Sequence, residues 1–476
     1  MQAIVGIDIG TTNIKVNAFD TGGNPLYSTS RHNRVIEQGN QYDLDGSYIM
    51  EQVLEMLAEL VDNEIRILSI GVSSLAESVF PVAGNGELEE KTMIWYDKRS
   101  RPQQERFHED FTRSDFYNIT GLNSEFLFSI FKLLWYYNHR PRLFEEADSW
   151  LPVNSYLVYK LTGKKAMDYS IASRTGALDI QNRDWSPEIF DNLPFSADVF
   201  PPLEDSAQNP GKLKQEYRER LGIDYEIPVS LGGHDHICGS FAVAAFQGRV
   251  ILDSMGTSEN ILGISRLDQL DLKELYQRRL NFGLHVVPGR VYLYHAFNYS
   301  SVIINNLISL FFNKSIGELG DADFRKFNRE ARKYQDRELP IRLYVEQNED
   351  RFLDTDQLKD LNLLNIPLNV DRGQVFMAVI RYLCHKSRQI IDNLEQVIPV
   401  ADEDQDPAEV IAIGGSTKNK LWMEEKARLL AQSLYINGIE KAVTLGGALL
   451  GGVGAGYYQD YREAVASINR DREVVT

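Results

Sequence analysis

The sequence predicts an α/β fold in two domains, and three observations lead to it. At 476 residues the chain is longer than one hydrophobic core usually supports, so we expect two domains of about 200 to 250 residues each. Short apolar runs that end in turns alternate with stretches of helical apolar spacing, an order typical of layered α/β domains. A strand–turn–strand pattern near the N-terminus also recurs about half a chain later, which indicates two related halves.

A β-hairpin is predicted at the N-terminus. The apolar run 3–9 ends in a Gly-Thr-Thr turn at 10–12, and the alternating run IKVNAF that follows is typical of a second strand. Residues 47–63 then carry apolar side chains at helical spacing, and IRILSIGVSS after them is typical of a buried strand. The first domain is therefore predicted to open as a hairpin, a helix and a strand.

The same opening recurs downstream. GRVILDSMGTSENILGIS is again a strand, a Gly-Thr-Ser turn and a strand, so we place a boundary near residue 245 and expect domains 1–245 and 246–476. The second domain is predicted to contain a long amphipathic helix at 374–397 and a strand, VIAI, before a Gly-Gly-Ser turn. Near the C-terminus, LGGALLGGVGAG is glycine-dense for a helix. Because each interior glycine costs about 0.5–1 kcal/mol relative to alanine, we expect this helix to approach a neighbouring element closely.

Composition and charge argue against several classes of function. The chain has 50 Lys and Arg residues against 68 Asp and Glu, a net charge of −18 that repels nucleic-acid backbones and anionic membranes. The two cysteines, Cys238 and Cys384, form no motif, which is typical of a reducing compartment. The first residues lack the basic-then-apolar order of a signal peptide, and no apolar run reaches the ~20 residues of a membrane span. We expect a cytoplasmic protein that binds neither nucleic acid nor membrane; its oligomeric state is open, with a homodimer as one alternative.

The two Gly-Thr turns are candidate phosphate-binding sites. A tight hairpin gathers backbone amides and the hydroxyls of Thr11 and Thr12 around one point, and Lys15 adds a positive charge. Asp8, two residues before the turn, is placed to hold Mg²⁺ through water. Together with the second turn, in MGTSEN, such a hairpin could clamp a polyphosphate from both sides. The alternative is that both are ordinary turns whose polar residues satisfy the backbone.

An acidic residue between two histidines is the candidate catalytic group. In GGHDHICG, Asp235 follows the apolar strand PVSL, and ligands bind at strand ends in open α/β sheets. Asp235 is placed to take a proton from an attacking hydroxyl, and His236 to hydrogen-bond the substrate. A zinc site is disfavoured, because three consecutive residues point in different directions and no further ligand cluster accompanies them.

Further segments offer groups for a polyhydroxylated ligand and for a nucleoside. Glu77 follows a buried strand and Trp95 stands in TMIWYDKRS, and a carboxylate opposite an aromatic plate is a common way to hold a sugar. A single tryptophan is, however, more often part of a core. In AIGGSTKNKLW, Gly414 and Gly415 let a base or ribose approach the backbone, and Asn419 offers donors and acceptors, although a plain tight turn explains the pattern equally well.

Taken in order, these segments resemble the FGGY family of carbohydrate kinases. The resemblance implies two ribonuclease-H-like domains of the actin-like ATPase fold, with ATP and sugar meeting in the cleft between them. It implies ATP and Mg²⁺ as cofactors and a small sugar or polyol as the substrate. It runs nearly end to end, and the ordered set is more specific than any member: GIDIGTTNIK, GVSSLAES, IWYDKR, FSIFKLLW, LTGKKAMDYSIASRTGALDI, GGHDH, DSMGTSEN, AIGGSTKNKLW and LGGALLGGVGAG.

The resemblance also implies site residues. Asp235 matches the family's general base, His236 its substrate-contacting neighbour, and Asp8 the acid that reaches Mg²⁺ through water. Glu77 and Trp95 fall where glycerol kinases hold their polyol. The substrate-binding candidates are thus Glu77, Ser78, Trp95, Asp235 and His236, and the nucleotide-binding candidates are Thr11, Thr12, Asn13, Lys15, Gly256, Thr257, Gly414, Gly415, Ser416 and Asn419.

Departures from the family patterns narrow the substrate. The Gln-Met-His-Gly stretch typical of xylulokinases is LAES at 75–78 here, so D-xylulose is not favoured. Ala76 replaces the arginine that glycerol kinases place beside the carboxylate, which weakens the case for glycerol. We favour a ketose such as a pentulose or hexulose. Tyr169, Arg174 and Asp179 match a stretch to which we assign a structural role.

The predicted reaction is in-line phosphoryl transfer from Mg-ATP to a hydroxyl, with Asp235 as the base. Two rival functions share the fold. A sugar-indifferent ATPase of the actin or Hsp70 type gives Glu77 and Trp95 no role, and a non-catalytic sugar sensor does not need Asp8 or Asp235. An ADP-release assay separates the three.

Overall fold

The structure is a computed structural model in which the chain forms two compact units. The first unit is Met1–Phe246 with Ser265–Leu293 and Lys441–Asn469, and the second is Gln247–Ile264 with Tyr294–Glu440 and Arg470–Thr476. The units interleave along the chain, whereas the domains predicted from the sequence are contiguous. The residues that the structure describes are 1–84, 88, 91–255, 259–297, 300–313, 318, 320–345, 361–399, 407–468 and 472–475.

Strands and helices alternate along much of the chain, as the sequence predicts for an α/β protein. The strands are β1 (Gln2–Ile9), β2 (Asn13–Phe19), β3 (Pro25–His32), β4 (Val35–Gln38), β5 (Gln41–Asp45), β6 (Arg66–Ser74), β7 (Val79–Val82), β8 (Lys91–Met93), β9 (Ser149–Pro152), β10 (Met167–Asp168), β11 (Leu178–Asp179), β12 (Asp184–Trp185), β13 (Leu203–Glu204), β14 (Gly211–Lys212), β15 (Pro228–His234), β16 (Val250–Met255), β17 (Glu259–Ser265), β18 (Asn281–Leu284), β19 (Val291–Phe297), β20 (Arg342–Val345), β21 (Leu361–Leu364), β22 (Glu409–Ile413), β23 (Leu434–Asn437) and β24 (Arg472–Val475). The α-helices are α1 (Gly46–Asp62), α2 (Arg101–Asp110), α3 (Arg113–Thr120), α4 (Ser129–His139), α5 (Pro141–Glu146), α6 (Val153–Thr162), α7 (Tyr169–Ala172), α8 (Pro187–Phe190), α9 (Gln215–Arg220), α10 (Asp235–Ala242), α11 (Leu272–Gln277), α12 (Ser300–Phe312), α13 (Asp321–Ala331), α14 (Arg372–Glu395), α15 (Lys420–Leu430), α16 (Ala442–Gly454) and α17 (Tyr461–Ala466).

The first unit is built on a six-stranded sheet in the order β14-β15-β6-β1-β2-β3. In this sheet β1 pairs antiparallel with β2 and parallel with β6, and β15 pairs parallel with β6. The predicted N-terminal hairpin is therefore confirmed, as is the buried strand predicted after α1. The helix predicted at 47–63 is α1, and the Asp45 side chain caps it by accepting from the backbone N–H of Tyr48.

Successive residues of β1 face opposite sides of this sheet. Val5 and Ile7 are fully buried in the core that also contains apolar residues of α1 and α6. Gly6 faces the opposite side of the sheet, since a Cβ built there would lie 1.8 Å from the carbonyl oxygen of Thr444 in α16. Asp8 is two residues from Gly6 and lies on the same face. The strand thus delivers an acidic residue to the α16 side of the sheet.

The glycines of α16 allow the close approach predicted from the sequence. A Cβ on Gly446 would lie 2.0 Å from the carbonyl oxygen of Cys238 in α10, and one on Gly451 would lie 2.7 Å from the backbone nitrogen of Gly71 in β6. Cβ atoms do not come this close to backbone, so only glycine fits at these positions. The helix therefore packs directly against α10, the helix that begins with Asp235.

The second unit repeats the strand pairing of the first. β16 pairs antiparallel with β17 and parallel with β22, and β22 pairs parallel with β23. This is the pattern of β1, β2, β6 and β15, so the internal repeat predicted from the two Gly-Thr turns is confirmed at the level of strand pairing. The long helix predicted at 374–397 is α14, and Asp371 caps its first turn. Within the described residues, no helix is both long enough and apolar enough to cross a membrane.

Candidate active site

Asp8 and Lys15 form a cross-strand pair at the end of the β1–β2 hairpin. They lie opposite one another in the register, and the Lys15 Nζ is 3.2 Å from Asp8 Oδ2. The Asp8 side chain is 3% exposed and that of Lys15 is 44% exposed. Burial raises the pKa of Asp8 above its ordinary value, an effect that Lys15 opposes and the charge of Asp235 reinforces. The hairpin thus carries a buried carboxylate whose partner lysine still reaches solvent.

The turn between β1 and β2 presents its polar groups outward. It is closed by a hydrogen bond from the Gly10 N–H to the Asn13 carbonyl (3.0 Å) and is buttressed by Asn33, whose side-chain amide donates to the Gly10 carbonyl (2.7 Å). Thr12 is exposed, and Thr11 and Asn13 are half-buried. The turn is therefore fixed from behind while its hydroxyls remain accessible.

Asp235 is the first residue of α10, directly after β15, as expected for a group at a strand end. Its Oδ1 accepts a hydrogen bond from the His236 backbone N–H (2.6 Å) and lies 3.6 Å from His234 Nε2 and 3.9 Å from His236 Nε2. Burial raises the pKa of Asp235, but His236, His234, the backbone bond and Lys15 outweigh it, so the pKa lies below the ordinary value. The carboxylate is therefore ionised at neutral pH.

His234 stays neutral beside this carboxylate. Burial lowers its pKa to about 4, and within the described part of the chain its Nδ1 has no hydrogen-bond partner. Its backbone N–H donates to Ser170 Oγ (2.9 Å), which is in turn bonded to the buried Asp168. Among the residues that the structure describes, no group of three His, Cys, Asp or Glu side chains has the arrangement of a metal site.

Glu77 and Arg174 form a buried ion pair. Arg174 Nε and Nη2 lie 2.6 and 2.5 Å from Glu77 Oε1, and both side chains are 8% exposed. Glu77 has a left-handed backbone (φ 65°), and its carbonyl accepts from Ser129 Oγ (3.2 Å). The hydroxyl of Ser78 beside it is buried, with no hydrogen-bond partner among the described residues. Arg174, which the sequence led us to regard as structural, therefore directly contacts a predicted substrate-binding residue.

Lys132 is a second basic residue that sequence reasoning missed. Its ammonium is fully buried and donates to the carbonyl oxygens of Trp95 (3.3 Å) and Leu127. Burial lowers the pKa of Lys132 to about 7, partly offset by the charges of Glu77 and Asp97. The only signal in the sequence was a lysine within the apolar segment FSIFKLLW.

Electrostatic coupling joins these groups into one site. In addition to burial, Glu77 raises and Arg174 lowers the pKa of His234. His234 and His236 act on Asp235, as described above. Trp95 adds a direct link, because its indole Nε1 donates to Thr11 Oγ1 (2.9 Å). The structure therefore brings together, within the first unit, the predicted residues Asp8, Thr11, Lys15, Glu77, Ser78, Trp95, Asp235 and His236.

The predicted nucleoside-binding segment, residues 414–416 with Asn419, lies in the second unit between β22 and α15. Gly414 has φ 103°, and a Cβ there would lie 2.4 Å from the Met255 carbonyl oxygen, so glycine is required. Gly415 has open space where a Cβ would stand. The Asn419 side chain caps α15 by accepting from the Trp422 N–H (3.2 Å). Two other nucleotide-binding candidates, Gly256 and Thr257, lie outside the described residues.

Three charged side chains are fully buried where β16 and β17 approach their connecting turn. Lys426 of α15 bonds to Asp253 and, at 2.8 Å, to Glu259 Oε1. Ser387 Oγ also donates to Glu259. Asp253 Oδ1 and Glu259 Oε2 are buried without a hydrogen-bond partner among the described residues. The Lys426 ammonium thus forms ion pairs with two carboxylates near the second Gly-Thr turn.

A cavity of about 660 Å³ elsewhere in the second unit is not part of the predicted site. It is lined by four arginines, which include Arg381 and Arg428, and by the acidic residues Asp336 and Glu338. Both Arg381 and Arg428 bond to the buried Glu425. No sequence-predicted site residue lines it.

Comparison with known proteins decides the family. The model of the FGGY family of carbohydrate kinases, N-terminal domain, matches residues 3–242, and the C-terminal domain model matches residues 252–455. The chain belongs to the FGGY family of carbohydrate kinases. It is thus a carbohydrate kinase, as the sequence predicts, of a family that uses ATP as the phosphate donor.

Relatives and solved structures agree with this membership. The chain is 24% identical to the L-fuculokinase of Escherichia coli K12 over 482 residues, covering 98% of this chain and 96% of the relative. It is 28% identical to the xylulose kinase of Bacillus subtilis over 278 residues, covering 57% of this chain and 56% of the relative.

Solved structures of FGGY kinases share its fold. The xylulose kinase of Lactobacillus acidophilus superposes with a TM-score of 0.84 at 22% identity, covering 100% of this chain and 94% of that one. The glycerol kinase of Plasmodium falciparum with ADP gives 0.84 at 18% identity, covering 100% and 94%. The predicted fold, α/β with two ribonuclease-H-like domains of the actin-like ATPase type, is confirmed.

Proposed function

We propose that this FGGY kinase transfers the γ-phosphate of Mg-ATP to a hydroxyl of a small ketose, with Asp235 as the general base. One observation carries the proposal. The ionised Asp235 interacts electrostatically with Asp8 and Lys15, which form a pair at the turn end of the β1–β2 hairpin. A base and a phosphate-binding turn in one group are what phosphoryl transfer to a hydroxyl requires.

The substrate is bound, in this proposal, by Glu77, Ser78, Trp95, Asp235 and His236. The Glu77 carboxylate is held in place by Arg174 and can accept from sugar hydroxyls. The Ser78 hydroxyl is buried and has no partner among the described residues, so it is available to a ligand. The half-buried Trp95 offers an aromatic face, on which the apolar side of a sugar ring or chain can lie.

The proposed nucleotide-binding residues belong to the Gly-Thr turn of each unit and to the Gly-Gly-Ser segment at 414–419. Thr11, Thr12, Asn13 and Lys15 contact phosphate oxygens from the first hairpin. Gly256 and Thr257 do the same from the second. Open space at Gly415 supports the approach of the nucleoside to the backbone of Gly414–Ser416 and Asn419.

Mg²⁺ fits beside Asp8. Hard cations prefer carboxylate oxygens, and Asp8 and Asp235 bring two carboxylates whose charges act on each other. As the family resemblance implies, we propose that Asp8 holds the ion through water. When bound, Mg²⁺ neutralises charge on the phosphate oxygens.

A ketose is the favoured substrate class. The relatives named L-fuculokinase and xylulose kinase support it. The LAES stretch at 75–78, in place of the Gln-Met-His-Gly of xylulokinases, argues against D-xylulose itself.

The protein's own groups supply positioning and charge. Glu77, Ser78 and Trp95 orient the sugar so that one hydroxyl lies against Asp235. Asp235 accepts the proton as the oxygen attacks, while Lys15 and the turn amides stabilise the charge of the transferred phosphoryl group. Most of the acceleration comes from this alignment, with ~10²–10⁴-fold from the base.

Coupled ADP release across ketoses, aldoses, polyols and sugar acids tests the proposal. We expect ketose-stimulated ADP release that falls by at least ~10²-fold in Asp235→Asn, with ATP binding retained. Asp224→Asn, an exposed aspartate of the same unit, is the matched control and should behave as the parent. Near-parental turnover in Asp235→Asn would exclude the base assignment. ADP release that is indifferent to every sugar would instead indicate an ATPase, and sugar binding without ADP release a sensor.

A further inference from the structure

A hydrogen bond connects the proposed sugar side of the site to the phosphate hairpin. The indole Nε1–H of Trp95 donates to Thr11 Oγ1 over 2.9 Å, across 84 residues of sequence. Trp95 lies just after β8, and Thr11 lies in the turn between β1 and β2. Neither the family motifs nor the spacing predicts this contact.

The bond has a directional consequence for the Thr11 hydroxyl. A hydroxyl has one donor hydrogen and two acceptor lone pairs, and the indole N–H occupies one lone pair. The O–H hydrogen must therefore point away from Trp95. Within the described part of the chain, the structure gives this O–H no acceptor, so it is available as a donor to a ligand.

Trp95 itself is held at several points. Its carbonyl oxygen accepts from the fully buried Lys132 ammonium (3.3 Å), which also bonds to the Leu127 carbonyl. Its ring packs edge-on against Tyr96, at 5.2 Å between centroids, and Tyr96 packs edge-on against Tyr42. The indole N–H is therefore presented at a fixed position rather than by a freely rotating side chain.

We propose that Trp95 is a positioning residue for phosphate binding: its indole N–H sets the Thr11 hydroxyl as a donor to a phosphate oxygen of ATP. One side chain then serves both substrates, with its ring face towards the sugar and its N–H on the phosphate hairpin. The proposed sugar and phosphate contacts thereby share one side chain. The identity of the two ligands rests on the proposed function; the Trp95–Thr11 interaction does not.

A double-mutant cycle tests the inference. Trp95→Phe keeps an aromatic plate but removes the N–H, and Thr11→Val removes the hydroxyl at constant shape. Affinity for a non-hydrolysable ATP analogue is measured by calorimetry without sugar, and KM for ATP and for the sugar by steady-state kinetics. When Thr11 is present, we expect Trp95→Phe to weaken analogue binding about threefold to tenfold, the range of one hydrogen bond. In the Thr11→Val background, the same substitution should change analogue binding by less than about twofold.

Two controls separate this role from a structural one. Trp185→Phe, which removes an indole elsewhere in the same unit, should leave both KM values at the parental level. Because a phenyl ring also alters the sugar face, the KM for the sugar should shift equally in both Thr11 backgrounds, unlike the affinity for the analogue.

The inference is overturned if the effects of Trp95→Phe and Thr11→Val on analogue binding simply add, or if Trp95→Phe changes the sugar KM alone. A parent that binds the analogue but phosphorylates no sugar would contradict the proposed function and leave the cycle valid. The two failures are therefore distinguishable.

Discussion

Glu77 and Arg174 place a carboxylate and a guanidinium side by side in the candidate active site, both 8% exposed. Two hydrogen bonds to the same carboxylate oxygen fix the orientation of Glu77. If Arg174 were lost, the buried Glu77 carboxylate would lose this ion pair and with it the two bonds that fix its orientation. The guanidinium therefore fixes a group that, in the proposed function, binds the sugar.

We expect Arg174→Gln to raise KM for the sugar by about tenfold or more, because bonds to charged groups are worth ~1.5–3 kcal/mol. The KM for ATP should change little, since Arg174 contacts Glu77, which the proposed function assigns to the sugar. Arg183→Gln, in a half-exposed ion pair with Asp205, is the matched control. Steady-state kinetics with each substrate varied in turn makes the measurement. Equal increases in both KM values would show that Arg174 acts on the whole unit instead.

At the scale of elements, the two hairpins are similar in pairing but different in charge. The first carries one buried acid, Asp8, with a half-exposed lysine. The second carries two fully buried acids, Asp253 and Glu259, that share the fully buried Lys426. Burial, reinforced by the charge of Glu259 and opposed by Lys426, raises the pKa of Asp253 to about 7. The second hairpin therefore contains a buried carboxyl, that of Asp253, which gains or loses a proton near neutral pH.

This pKa makes stability depend on pH in a defined direction. An aspartate whose pKa is raised in the folded state binds more protons there than in the unfolded chain between about pH 4 and pH 7. The free energy of unfolding therefore falls as the pH rises through this window. Asp253→Asn removes the titration and keeps the shape.

Urea unfolding at pH 5, 6, 7 and 8 measures the effect. Between pH 5 and pH 8 we expect the parent to lose on the order of 2 kcal/mol relative to Asp253→Asn, since one proton is worth about 1.4 kcal/mol per pH unit. Asp336→Asn, an exposed aspartate of the same unit, should run parallel to the parent. A parent and an Asp253→Asn variant with parallel profiles would contradict the raised pKa.

The same two hairpins show what the sequence can predict. Gly-Thr turns between apolar runs are local signals, and they correctly gave the hairpins and their repeat. The position of Asp235 at a strand end was likewise predicted from the apolar run before it. Arg174 and Glu77 are 97 residues apart, and Lys132 bonds to a carbonyl 37 residues away. Such partners depend on how distant loops fold back on one another, which neither periodicity nor spacing encodes.

Chain order also hides which helix supports the site. α16 lies more than 400 residues after β1, yet it packs on β1 and β6 and against the carbonyl of Cys238. Its glycines predicted a close neighbour but could not identify it. The identity of that neighbour depends on the tertiary fold, because the glycine pattern specifies only how near a second backbone comes.

For the whole molecule, the net charge of −18 opposes the approach of an anionic nucleotide. In the proposed function, Lys15 and the turn amides attract the phosphates only at short range. At about 0.01 M salt the Debye length is ~30 Å, so ATP meets the repulsion of most of the chain; at about 0.15 M it is ~8 Å, and only nearby charges act. Screening should therefore help ATP to bind.

We accordingly expect KM for ATP to fall, by about twofold or more, as NaCl is raised from about 0.01 to 0.15 M at constant free Mg²⁺. The KM for an uncharged sugar, measured in the same series, is the internal control and should stay constant, because salt does not screen a neutral ligand. A KM for ATP that rises with salt would mean that the local positive charge at Lys15 outweighs the field of the whole chain. In that case Lys15→Met should remove the rise of the KM for ATP with salt. If repulsion by the whole molecule dominates instead, the KM for ATP should still fall with salt in Lys15→Met.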